Sequence, residues 1–244
     1  MNLIIDVGNT LLKLAVFEVD ELLFQKTIEK EDFLSVLEEV SKDYNEIDNC
    51  IISSVGSFTK QQFKKLNDTY SPLVLTHETK VPFVNNYATP ESLGVDRIAL
   101  VSAAAVYYSN KNVLIIDAGS CITYDFLNDK NEYLGGAISP GVAMRYHALH
   151  DRTSNLPLLE SEKPKKIIGD TTFSSIHSGV VKGVLYEIAG FIESYNSNYK
   201  DLTVILTGGD AHFLRDSLKS DIFANSNFVL EGLNFILEHN KDRC

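Results

Sequence analysis

The chain is short of cysteine, of basic charge and of long apolar runs, and each shortage removes a class of protein. Cys50, Cys121 and Cys244 are odd in number, widely spaced and form no C-x-x-C pair. A disulfide framework or a structural zinc site is therefore not expected, and a reducing compartment fits. Lys and Arg number 22 against 33 Asp and Glu, a formal net charge of −11. Such a field repels a nucleic-acid backbone, which selects for clustered Lys and Arg. The largest basic cluster, Lys163, Lys165 and Lys166, is too small to reverse it. No apolar run approaches the roughly 20 residues that span a bilayer. Met1-Asn2 leads straight into a strand-like run and not into a signal peptide. The expectation is a cytoplasmic protein with neither a nucleic-acid nor a membrane partner.

Several catalytic signatures are missing too. There is no Gly-x-x-x-x-Gly-Lys-Ser/Thr loop and no Gly-x-Gly-x-x-Gly after a strand. The protein-kinase set, Gly-x-Ser-x-Gly and His-Glu-x-x-His are likewise absent. His147, His150 and Asp151 lack the further ligand a metal site needs and read as a solvated helix end.

What the chain does have is an internal echo. Leu3-Ile4-Ile5-Asp6-Val7-Gly8 recurs as Leu114-Ile115-Ile116-Asp117-Ala118-Gly119. In each copy a short apolar run, readable as a buried strand, ends in Asp-x-Gly. Two more strand-like stretches follow each copy, Leu11–Val19 and Leu22–Ile28 in the first, Ile122–Leu127 and Tyr133–Ile138 in the second. Helical periodicity appears over Glu31–Lys42, Phe58–Leu66 and Val95–Tyr108, and strands at Asn49–Ser53 and Leu73–Leu75. A long helix is predicted over Phe173–Tyr195, with Phe173, Ile176, Val180, Val184, Ile188 and Phe191 on its apolar stripe. Thr203–Leu206 reads as a strand leading into Thr207-Gly208-Gly209-Asp210, and the chain closes on a helix near Glu231–His239. The duplication predicts an α/β fold of two domains, 1–111 and 112–244.

Aspartate often merely terminates a turn, and one Asp-x-Gly copy alone favours that reading. Two copies half a chain apart favour another: a carboxylate where two strands turn can hold a hydrated cation, and the glycine lets backbone N–H groups approach a phosphate. With Gly208-Gly209 after a later strand, the pattern resembles the actin/hexokinase/Hsp70 superfamily. That resemblance implies two similar RNase H-like (actin/hexokinase-type) domains with a cleft between them, and ATP as phosphate donor.

The resemblance narrows. Asp6-Val7-Gly8-Asn9-Thr10, continuing through Leu11 and Leu12 to Lys13, is similar to the nucleotide loop of type III pantothenate kinases. Gly94-Val95-Asp96-Arg97 resembles that family's Gly-x-Asp-Arg signature, and Tyr87 precedes it by the family's spacing. Ser139-Pro140-Gly141 and Ile168-Gly169-Asp170-Thr171-Thr172 follow in the family's order. The resemblance implies phosphorylation of (R)-pantothenate, with Asp96 as the base. It implies nucleotide contacts by residues 6–13 and Ser120. Tyr87, Gly94, Val95, Asp96, Arg97 and Thr172 would bind pantothenate, and Asp117 a potassium or ammonium ion. Mg²⁺ with the nucleotide and a homodimer are also implied. One departure is Ser120-Cys121, where the family usually has threonine then alanine; serine keeps the hydroxyl, and Cys121 reads as a small, partly buried residue. Acting through its N-cap hydroxyl, Thr172 would favour a carboxylate at the start of the long helix. The alternatives are a sugar or polyol kinase of the same fold and a non-catalytic transcriptional accessory protein.

Overall fold

The fold comes from a computed structural model that describes residues 1–8, 11–54, 58–218 and 222–241. In chain order its elements are β1 (Asn2–Val7), β2 (Leu12–Glu18), β3 (Glu21–Ile28), α1 (Phe33–Asp43), β4 (Asn49–Ile52), α2 (Lys60–Tyr70), β5 (Leu73–Val74), β6 (Val84–Asn85) and α3 (Val95–Tyr107). There follow β7 (Val113–Ala118), β8 (Cys121–Leu127), β9 (Glu132–Pro140), α4 (Val142–Asp151), α5 (Thr172–His177), α6 (Gly183–Asn198), β10 (Thr203–Thr207), α7 (Ala211–Arg215), β11 (Ile222–Ala224) and α8 (Phe228–Asn240). The chain packs as two compact units: residues 1–109 with 131–133 and everything from Asn227 onward, and residues 110–130 with 134–226.

The first unit is built on a sheet of order β3-β2-β1-β4-β5. Leu3, Ile4 and Ile5 of β1 are fully buried, as a strand covered on both faces must be. β1 runs antiparallel to β2 and parallel to β4. α1 turns Phe33, Val36, Leu37 and Val40 inward, which is the three- and four-residue spacing of an amphipathic helix. α3 is apolar nearly all round, with Ile98–Val101 and Ala103–Ala105 buried. Its cover is α8, the last helix of the chain. A Cβ on Gly232 of α8 would fall 1.9 Å from Ala99 O, so glycine is what permits this close approach. α8 is also tied to β1: Asn2 Nδ2 donates to Asn234 Oδ1 and to Glu238 Oε1, both at 2.7 Å, and Asn234 Nδ2 donates to Val19 O at 2.7 Å. A cut at 111/112 would part α8 from the helix and strand it packs on.

The second unit has strand order β11-β10-β7-β8-β9. β7 runs antiparallel to β8 and parallel to β10, and β10 runs parallel to β11. This reproduces the first sheet strand for strand, β7 taking the place of β1. The α/β class expected from the duplicated motifs is thus the one observed, two units on one topology. β6 pairs Val84 with Glu132 and Asn85 with Tyr133. The long helix differs from expectation in one respect. α5 passes through a π turn, Ser178–Lys182, before α6, and Phe173, assigned to the apolar stripe, is 56% exposed. Ile176, Val180, Val184 and Ile188 do line the core. Among the described residues no helix is long and apolar enough to cross a membrane.

Candidate functional site

In the first unit Asp6 stands at the end of β1, directly opposite Lys13 on β2. The turn closes where Gly8 N donates to Leu11 O at 3.0 Å; a Cβ on Gly8 would fall 2.9 Å from that oxygen. Asn9 and Thr10 lie outside the described residues. Val7 is half-buried, Leu11 exposed and Leu12 fully buried, so Leu12 has only its backbone to offer a ligand. Ser53, just past β4, was not foreseen. Its Oγ donates to Asp6 Oδ1 at 3.2 Å and accepts from Val7 N at 2.8 Å. The available signal was a hydroxyl ending the strand parallel to β1.

Burial raises the Asp6 carboxyl above its ordinary value of 3.8; Lys13 and the Ser53 hydrogen bond oppose this, and the charge of Asp96 adds to it. An acid whose folded pKa is raised binds more protons folded than unfolded, so its contribution to stability falls as pH rises through that interval. Wild type is therefore expected to lose thermal stability relative to Asp6→Asn as pH climbs from the ordinary carboxylate range through the raised pKa. Melting curves across pH check this; parallel curves for the two proteins would refute it.

Asp96 lies in the first turn of α3. Its Oδ1 accepts from Arg97 N at 2.9 Å. A Cβ on Gly94 would fall 2.4 Å from that same Oδ1, so the glycine leaves room for the carboxylate to fold back across the helix start. Asp96 is exposed and Val95 half-buried, while Arg97 is buried. The Arg97 guanidinium sits 5.5 Å from the Tyr87 ring centroid, a cation–π distance. Tyr87 in turn stacks on Tyr133 at 5.9 Å. The structure therefore brings Tyr87 and Arg97 together, and sets Asp96 close enough for its charge to register at Asp6.

In the second unit Asp117 occupies the equivalent place on β7, opposite Thr123 of β8 and level with Thr207 of β10. Gly119 N donates to Cys121 O at 2.9 Å, closing a turn one residue shorter than that at Gly8. Ser120 is exposed on the turn and Cys121 half-buried. Two later segments converge here. Gly141 N donates to Ser120 O at 3.2 Å, and Asp210 N to Ala118 O at 2.9 Å. Gly208 adopts φ +94°, and its Cβ would fall 2.3 Å from Asp117 Oδ1; both the left-handed backbone and the contact require glycine. Burial raises the Asp210 carboxyl.

Thr172 is the first residue of α5 and not its cap. The cap is Thr171, whose Oγ1 accepts from Ser174 N at 3.1 Å, so the N-cap hydroxyl expected of Thr172 belongs to its neighbour. Thr172 itself is exposed. His150 does lie in the last turn of α4, where Nδ1 meets Leu156 O at 2.8 Å. Among the described residues no group of three or more His, Cys, Asp and Glu could hold a metal. Cys50 and Cys121 are free thiols, and burial pushes Cys50 well up.

The family model for type III pantothenate kinase matches residues 2–194. A type III pantothenate kinase of Christiangramia forsetii is 52% identical, with 99% of both chains covered. One from Flavobacterium johnsoniae is 46% identical at the same coverage. Among solved structures, a Campylobacter jejuni protein described as a candidate Baf family transcriptional activator has TM-score 0.64 at 21% identity, covering 98% of this chain and 99% of that one. A glucokinase from an Antarctic psychrotroph has TM-score 0.54 at 11% identity, covering 98% of each. These two likenesses speak to fold alone. With residues 2–194 inside the family pattern and end-to-end relatives at 52% and 46% identity, this chain belongs to the type III pantothenate kinase family.

Proposed function

We propose that the chain transfers the γ-phosphoryl group of ATP to the primary hydroxyl of (R)-pantothenate, giving 4′-phosphopantothenate and ADP at the entry to coenzyme A synthesis. The observation that carries this is the placing within one unit of two motif carboxylates, Asp6 at the end of β1 and Asp96 in the first turn of α3, the charge of Asp96 adding to the burial that raises the Asp6 pKa. A phosphate loop and an acceptor base need that proximity.

In the reaction the pantothenate oxygen bonds to the γ-phosphorus as the bond from that phosphorus to the bridging oxygen breaks. The electron pair leaves with ADP. The hydroxyl proton passes to an Asp96 carboxylate oxygen and then to solvent. A free aspartate, with pKa near ~3.9, is a weak base, but phosphoryl transfer has a loose transition state in which the proton leaves late. Asp96 thus orients the hydroxyl as much as it deprotonates it. The loop of Val7, Gly8, Asn9, Thr10, Leu11 and Leu12 and the Lys13 ammonium receive the phosphates, and Ser120 adds a hydroxyl. Tyr87, Gly94, Val95 and Arg97 shape the pantothenate pocket, and Thr172 contacts the same substrate.

Mg²⁺ suits this donor set only as an ion carried in by the nucleotide, since it binds through one or two carboxylates plus phosphates and water. When bound it spreads the charge of the transferring group. A potassium-like cation suits Asp117, because the space that a Gly208 Cβ would fill brings Asp117 Oδ1 and Ala118 O together as hard oxygen donors. A homodimer is supported by exposed Ile138, Met144, Phe173 and Tyr186 in one unit. Gly179 and Gly183, in the helical run between Phe173 and Tyr186, have nothing within 4 Å of where a Cβ would be. We take the protein to be cytoplasmic, and the halves 1–111 and 112–244 to be copies of one ancestral domain.

The test is ADP release by the purified protein with pantothenate or a panel of sugars, with and without potassium. Pantothenate-dependent release that rises with potassium is expected. Turnover of hexoses alone would sink the assignment, and silence with every acceptor would favour a non-catalytic accessory role.

A further inference from the structure

Arg145 and Glu187 belong to no phosphate motif, yet their hydrogen bonds lead straight to one. Arg145 on α4 reaches back with Nε to Pro140 O at 2.9 Å and with Nη2 to Ser139 Oγ at 2.9 Å. The same Nη2 donates to Glu187 Oε2 on α6 at 2.6 Å. The other Glu187 oxygen, Oε1, accepts from Tyr124 OH on β8 at 2.9 Å. So α4, α6 and β8 are clamped around the end of β9. The next residue, Gly141, is where that clamp meets the turn after β7. Its N–H donates to Ser120 O, and its Cβ would fall 2.2 Å from Gly119 O and 2.5 Å from Ser120 O. Ser139-Pro140-Gly141 is thus a wedge against the Gly119-Ser120 backbone, and Arg145 fixes the wedge.

The electrostatics agree. Burial alone would raise the Glu187 carboxyl, but hydrogen bonds from Arg145, Ser139 and Tyr124 and the Arg145 charge bring it below its ordinary value. The acid is therefore held ionised in a half-buried place, where a charged pair with several hydrogen bonds has fixed geometry. Arg is needed because one planar fork must serve a backbone carbonyl, a hydroxyl and a carboxylate at once. For fold stability alone, an apolar contact between α4 and α6 would serve as well.

We propose that Arg145 and Glu187 are positioning residues for the nucleotide, setting the Gly119-Ser120 turn through Ser139-Pro140-Gly141. This rests on the reading of that turn as a phosphate loop. Arg145→Lys and Glu187→Gln are compared with wild type by steady-state kinetics, calorimetric ADP titration and thermal melting. A loop misplaced by about an ångström weakens reactions by up to about a hundredfold. The KM for ATP and the Kd for ADP are expected to rise about tenfold or more, with the pantothenate KM within about twofold of wild type. Unchanged nucleotide constants, both KM values moving together, or loss of fold in both variants would each overturn the proposal. Should wild type show no pantothenate turnover, the functional reading fails, yet the ADP titration still decides the positioning role.

Discussion

Asp96→Asn lowers pantothenate-dependent ADP release by about a hundredfold to ten-thousandfold, the range that a positioned general base contributes, while the melting temperature stays close to that of wild type. The split between activity and stability follows from where Asp96 sits. It is exposed, and its Oδ1 accepts from Arg97 N at the start of α3. Asparagine has an oxygen at the same reach, so this hydrogen bond survives. The substitution gives up the favourable meeting of a negative charge with a helix N-terminus, about 0.3–1 kcal/mol. It also relieves Asp6 of a neighbouring charge. These two changes oppose one another, and the fold is left nearly untouched. The missing capacity is to accept a proton. ADP-release rates at saturating pantothenate, read beside melting curves, test this. A variant that keeps more than about a tenth of wild-type kcat would show that Asp96 only orients the acceptor.

Gly232→Ala has the largest expected effect on stability, and its sign runs against helix propensity. In an open helix interior, alanine is better than glycine by about 1 kcal/mol. Gly190 in α6 is such a place, with nothing within 4 Å of its Cβ position, so Gly190→Ala is expected to stabilise by up to about that amount. At Gly232 the new methyl would land 1.9 Å from Ala99 O and 2.6 Å from Ala99 C, and backbone cannot swing aside as a side chain can. Either α8 lifts from α3 or α3 shifts, at the roughly 1–3 kcal/mol that overpacking costs. Urea titrations of the two variants should move in opposite directions. If Gly232→Ala were neutral or stabilising, the close packing of α3 on α8 would be refuted.

Much of this was legible in the residues. The echo of Asp6-Val7-Gly8 in Asp117-Ala118-Gly119 located β1 and β7, the central strands of both sheets, because an apolar run buried on both faces leaves a plain mark. The tight turns that follow were legible for another reason: a glycine ends each copy of the motif where the backbone must turn. Arg97 was readable only as part of a motif. Burial of its guanidinium against Tyr87 depends on residues 83–87 returning beside β9, a pairing of two residues per strand that no periodicity announces. Ser53 was hidden because a lone serine after a strand is common, and only the parallel register of β4 with β1 aims it at Asp6. The cap at α5 was displaced by one residue, as two adjacent threonines give no local means of choosing. Of α4, which carries Arg145, only the end at His147–Asp151 was legible. Its Val142–Asp151 run has only Val142 and Tyr146 buried, too few for a stripe to show.

One consequence of the packing concerns the ribosome. The helix that covers α3 and is bonded to Asn2 is made of residues 228–240, translated after every strand of both sheets. The lobe that emerges first is thus the last to be completed, waiting with α3 uncovered while its sibling folds. Its assembly relies on contacts some 230 residues apart in sequence, the kind that slow folding most, and losing the closing segment would undo the opening one.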